Sequence, residues 1–158
     1  MDEIVVARAL HVLAIVIWIG GLAMATTVVL PAVRRGDLGP DRAKVFHAIE
    51  QRFVWQARIS IIIVGLTGFY MMARLDLWER FHSAQFWWMH AMVCLWLLFT
   101  VVLFVAEPFV VACRFRKWAT SAPQVAFRWL NRVHWVLLAL SLITIFGVVA
   151  GSQGWSLF

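Results

Sequence analysis

Four long apolar runs separated by short polar stretches dominate the chain, at about residues 4–33, 53–73, 84–106 and 133–151. A helix rises about 1.5 Å per residue, so about 20 mainly apolar residues cross the hydrocarbon of a bilayer. Each run reaches that length. Lipid offers no hydrogen bonds to backbone groups, so a lone apolar run must satisfy them internally, as a helix. The pattern predicts an all-α integral membrane fold: a four-transmembrane-helix up-down bundle that takes up residues 1–158 as a single transmembrane domain. Between the first two runs, "RRGDLGPDRAKVFHAIEQRF" starts as a Gly/Pro turn and becomes amphipathic. Val45, Ile49 and Phe53 share a stripe there, and Asp41 stands at an N-cap position. This predicts an interfacial helix over about 41–52 that runs into the second span. Pro31 and Pro108 are placed to end the first and third helices. "GLTGF" in the second span, and Gly147 with Gly151 in the fourth, predict close approach between helices.

Composition supports the membrane assignment: 63% of residues are apolar, 14% are charged and mean hydropathy is +0.85. The first run is longer than the apolar core of a signal peptide, so a retained helix is expected. The formal net charge of +6 is distributed by topology. Arg34, Arg35, Arg42, Lys44 and Arg52 lie between spans one and two, and Arg114, Arg116, Lys117, Arg128 and Arg132 between spans three and four. On the other side Arg8, Arg74 and Arg80 are offset by Asp2, Glu3, Asp76 and Glu79. Basic loops stay cytoplasmic. Both termini are therefore expected on the outer, periplasmic side of a bacterial inner membrane, with anionic lipid as a partner of the basic loops and no role in nucleic-acid binding. Cys94 and Cys113 form no CxxC pair and read as small buried hydrophobes.

Ionisable groups inside a span are costly, so each is a functional candidate. His11 and His90 both lie roughly 9–10 Å into their spans from the outer face. Spans one and three are diagonal partners in an up-down bundle. Two imidazoles at matched depth on such helices suit the axial positions of a b-type haem. Arg8 stands where a propionate would emerge, and Trp18 and Trp96 are deep enough to flank the ring. A second, weaker pair is His134 at the inner start of span four and His47 before span two, with Arg52, Arg58 and Arg132 as cations for a second haem. Glu50 offers His47 a plain ion-pair partner instead. A copper reading competes at the outer face, where Met89, His90 and Met92, with Met71 and Met72, supply the soft donors that Cu(I) prefers. No hydrolase or nucleotide-binding signature is present.

"RALHVLAIVIWIGGL" resembles the first helix of the CopD-like and HemJ-like membrane proteins. An E-x-x-F stretch (Glu50 to Phe53), an aromatic-rich start to span three, and an R-x-x-N stretch (Arg128 to Asn131) extend the likeness over most of the chain. The resemblance implies haem b and protoporphyrinogen oxidation on the HemJ-like side and copper handling on the CopD-like side, with His11 matching the family's first-helix histidine. Two departures point away from porphyrinogen oxidation. His90 stands where the HemJ-like lysine is expected, and Asn131, Arg132, Val133 and His134 replace an Asn-Glu-Pro motif. The leading expectation is a b-type cytochrome that transfers electrons through a bis-histidine haem b. A quinol, a periplasmic redox protein, a second copy or a larger membrane complex would be its partner. The alternatives are a HemJ-like oxidase and a CopD-like copper protein.

Overall fold

The computed structural model describes residues 2–37, 39, 41–115 and 123–155. The described residues are helical throughout, with short turns and no strand. The helices are α1 (Asp2–Met24), α2 (Leu30–Arg35), α3 (Arg42–Arg74), α4 (Trp87–Val101) and α5 (Pro123–Ser152). Four helical stretches are long and apolar enough to cross a membrane: Asp2–Arg35, Lys44–Arg74, Ala84–Phe109 and Arg128–Ser152. In their most apolar windows only 33%, 33%, 17% and 28% of residues are buried within the protein. Most of the apolar surface therefore faces outward, which is stable only against lipid.

Side-chain contacts fix the directions of the helices. The Tyr70 hydroxyl, near the end of α3, donates to Glu3 at the start of α1 (2.9 Å), and Arg74 pairs with the same carboxylate at 3.5 Å. Arg58 and Gly65 of α3 meet Leu103 and Trp96 respectively. Gly147 and Gly151 of α5 meet Trp87 and Trp88 at the start of α4. Successive long helices thus run antiparallel, and the start of α1, the end of α3, the start of α4 and the end of α5 gather at one end, here called the termini end. The opposite is the loop end. α1 packs most extensively on α3 and α4 on α5, while α1–α5 and α3–α4 contacts close the ring. α1 and α4 are the diagonal pair. Their Trp18 and Phe99 rings meet edge to face across the bundle, 4.6 Å between centroids, inside a core that includes Leu22, Ile61, Leu103 and Leu138.

Several local expectations change. The amphipathic segment does run into span two, within the 33-residue α3, but its packing differs. Among its described side chains Phe46, rather than Val45 or Ile49, is buried, packed with Leu30, Val33 and Leu130. Asp41 stands at the N-cap but makes no side-chain cap bond. The prolines widen their helices instead of ending them. Around Pro31 the chain passes through π-type turns at Ala25–Val29, where Thr26 and Thr27 bond the Leu22 and Ala23 carbonyls, before α2 ends at Gly36 with φ 87°. Around Pro108 wide turns run over Val102–Phe115. In such a turn a carbonyl accepts from the N–H five residues on. For Leu103 that residue is Pro108, which has none. Arg58 fills the gap, with Nε and Nη2 donating to the Leu103 carbonyl at 3.0 and 2.8 Å and Nη2 to Glu107 at 2.6 Å.

Gly147 and Gly151 do not bring backbones together: a Cβ at either would strike the indole of Trp87 or Trp88. Cys94 is exposed on the outward face of α4, not buried. The side chains of Cys113 and Arg114, and the whole of Arg116, Lys117 and Trp118, lie outside the described residues.

Candidate functional site: an apolar cavity walled by His11

At the termini end the four long helices part around a cavity of about 680 Å³. Its walls are almost wholly apolar, with Ile15 and Ile19 from α1, Phe69 from α3, Val93 from α4 and Ile145 from α5 among them. Its width follows from two glycines and two indoles. The Trp96 ring lies across Gly65, where a Cβ would come within 2.7 Å of it, and its Nε1–H donates to the Ile61 carbonyl at 3.0 Å. At Gly68 a Cβ would sit 3.3 Å from the Cε1 of His11. Trp18 stands in the cavity wall, 3% exposed and braced by Phe99, and the cavity continues along α1 past it to Ala23. Arg8 stands at the rim, exposed, three residues from His11 and on the termini side of it.

His11 is half-buried in the cavity wall, and its proton can be placed. The Thr67 hydroxyl has one hydrogen. At 2.6 Å from the Ile63 carbonyl, an oxygen that can only accept, Thr67 Oγ1 must donate that hydrogen. The contact between His11 Nδ1 and Thr67 Oγ1 at 2.9 Å therefore runs the other way, with Nδ1–H donating. A neutral imidazole carrying its proton on Nδ1 has a lone pair on Nε2, and the Val64 carbonyl also lies within hydrogen-bonding reach of the ring. Fixing one ring nitrogen through a hydrogen bond is how proteins prepare the other to bind a metal. The sequence alone does not single out Thr67, because "GLTGF" reads as a helix-packing motif. Its signal was available, as a hydroxyl one residue from a glycine inside a span.

His90, expected to face His11, lies elsewhere. It is exposed, its ring stands edge to face with Phe81 at 5.0 Å, and its Nε2–H donates to the Phe81 carbonyl at 3.1 Å. The cavity face of α4 is the stripe Trp88, Met89, Met92, Val93, Leu95 and Trp96, spaced i, i+1, i+4, i+5, i+7 and i+8. One residue turns a helix by 100°, which carries His90 to the outward side with Cys94 and Leu97. The structure does not bring the two histidines together. It brings His11, Arg8, Trp18, Trp96, Met71, Met72, Met89 and Met92 to one cavity.

Nor does the second pair converge. His47 is exposed and turns to its own helix, 3.8 Å from Glu50 and 3.0 Å from Gln51. His134 Nδ1–H donates to its own Leu130 carbonyl at 3.0 Å. Arg52 and Arg132 are exposed, and Arg58 is committed to Glu107 and Leu103. None of these residues lines the cavity.

The donors at the cavity are thus one imidazole nitrogen and four thioethers. Bonds from a first-row metal to nitrogen or sulfur are about 2.0–2.3 Å, so a bare ion needs its donors drawn onto one point. A void of about 680 Å³ holds walls apart, and lies within the range of about 300–1,000 Å³ typical of organic cofactor pockets. A large, flat, apolar group that also takes an axial nitrogen fits these residues, with a cation at the rim for an acidic substituent. Among the described residues no cluster of three His, Cys, Asp or Glu side chains suited to a metal ion exists. Comparison of the chain with family models, with curated proteins and with solved structures finds no match.

Proposed function

We propose that this chain is a membrane haem b protein that carries electrons, with His11 as an axial ligand and both termini on the outer side of a bacterial inner membrane. What supports the reading is His11 itself, which stands in the wall of an apolar cavity large enough for a haem with its Nδ1 held by Thr67, so that Nε2 is the nitrogen that would take the iron. When bound, the haem supplies a one-electron couple at its iron. The chain's own residues do the rest. Thr67 holds the imidazole in one tautomer, Arg8 offers a cation to a propionate at the rim, and Gly65 and Gly68 keep the cavity wide. The Trp18–Phe99 pair and the core around it brace the wall toward the loop end. Exchange with a quinol or an outer redox protein is expected at the termini end, where Arg8 stands at the rim. A copper reading draws on the same thioethers, but the width of the cavity favours the macrocycle.

The test is an absorption spectrum of the protein purified in detergent after expression with ample haem. Wild type and His90→Ala should both show a Soret band, and His11→Ala should lose it. A colourless wild type that retains copper, or haem lost equally from His90→Ala, would refute the proposal.

A further inference from the structure

We infer that the second donor facing the iron is the Met92 thioether, so that the site pairs one imidazole with one sulfur rather than two imidazoles. This rests on the haem reading of the cavity and adds to it the ligand set and the class of redox partner. The argument starts from the contact between Trp18 and Phe99, 4.6 Å between ring centroids. α1 and α4 run in the same direction on the diagonal of the bundle, so this contact puts Trp18 and Phe99 on faces that look toward each other at a similar depth. Seven residues toward the termini end from Trp18 is His11, and seven from Phe99 is Met92. Seven residues rise about 10.5 Å and turn about 700°, only about 20° short of two full turns. A pair that faces at one level therefore faces again two turns higher. His11 and Met92 should stand opposite one another, and both line the cavity.

The neighbouring candidates are less well placed. Met89 also lines the cavity but stands about 4.5 Å nearer the termini end, nearly a turn above the level of His11. Met71 and Met72 lie on α3, which packs beside α1 rather than across from it. His90 is turned outward onto Phe81. A thioether in place of an imidazole raises the potential of a haem. The partner is then an acceptor or donor of higher potential than a bis-imidazole site would serve.

Ferric protein, its haem content quantified, is compared across wild type, Met92→Leu, Met92→His, Met89→Leu and His90→Ala by absorption and electron paramagnetic resonance, with redox titration. Wild type should be low-spin, with the long-wavelength charge-transfer band of an iron–thioether bond. Met92→Leu should keep its haem but lose that band and become high-spin. Met92→His should return to low spin with a bis-imidazole signature and a lower midpoint potential, which also shows that the position tolerates change. His90→Ala should match wild type. Haem that is bound with a bis-imidazole signature in wild type, or a sulfur band lost in Met89→Leu and kept in Met92→Leu, overturns the Met92 assignment alone. A wild type that takes up no haem overturns that assignment and the haem reading together.

Discussion

Thr67→Val replaces the hydroxyl by a methyl of nearly the same size, so the packing around His11 is preserved while its hydrogen bond is deleted. The structure sets the magnitude. Nδ1–H loses an acceptor at 2.9 Å inside an apolar wall, and a buried polar group left unpaired costs about 1–3 kcal/mol. The ring is also freed to rotate and to carry its proton on Nε2, the form that cannot bind iron. At about 1.4 kcal/mol per tenfold, haem affinity should fall about 10–100-fold, the range seen when outer partners of metal-binding histidines are removed. Thr67→Ser keeps the oxygen and should stay within about threefold of wild type, by the same conversion. Haem transfer to a competing apoprotein measures the ratio directly. Equal retention by the Val and Ser variants would show that the Thr67 bond does not prepare His11, and the proton assignment would lose its consequence.

Three further expectations follow. Gly65→Leu drives a side chain into the Trp96 indole, since even a Cβ there would approach within 2.7 Å; haem content at purification should drop about five- to hundredfold, given an overpacking cost of about 1–3 kcal/mol. Arg58→Met leaves the Leu103 carbonyl without its donor and Glu107 without its cation, and both side chains of the pair are partly exposed (24% and 30%). A loss of about 2–3 kcal/mol in mixed-micelle unfolding is expected, and Pro108→Ala in the same background should recover about 1 kcal/mol by restoring a backbone N–H. A double mutant no more stable than Arg58→Met would remove the argument that Pro108 orphans that carbonyl. Reporter fusions active only outside the cytoplasm should work at either terminus and fail in the segments joining spans one and two or three and four; the reverse pattern would invert the topology.

How much could be read beforehand differs by kind of information. The four spans were legible because hydrocarbon thickness sets a length that apolar composition reveals. Their ends were not, because helices extend past the apolar slab and α3 absorbs the amphipathic segment whole. His11 was legible as a costly polar group, and depth suggested His90 as its partner. Depth is a translation along the helix axis and says nothing about rotation, which differs by 100° between His90 and its neighbours on either side. The Trp18–Phe99 contact supplies the missing angle and selects Met92. Thr67 was hidden for another reason: a threonine that bonds its own helix is common, and its role appears only when His11 of another helix arrives at its oxygen. Arg58 was seen as a cation for a cofactor, whereas the carbonyl left over by Pro108 claims it.

Titration of the haem-free protein with haemin, followed by quenching of tryptophan fluorescence, tests the central claim most directly, because Trp18, Trp88 and Trp96 line the cavity. A sharp endpoint at one haem per chain is expected for wild type, with no such endpoint for His11→Ala. An identical endpoint in His11→Ala, or a wild type that shows only gradual, unsaturable quenching, would contradict it.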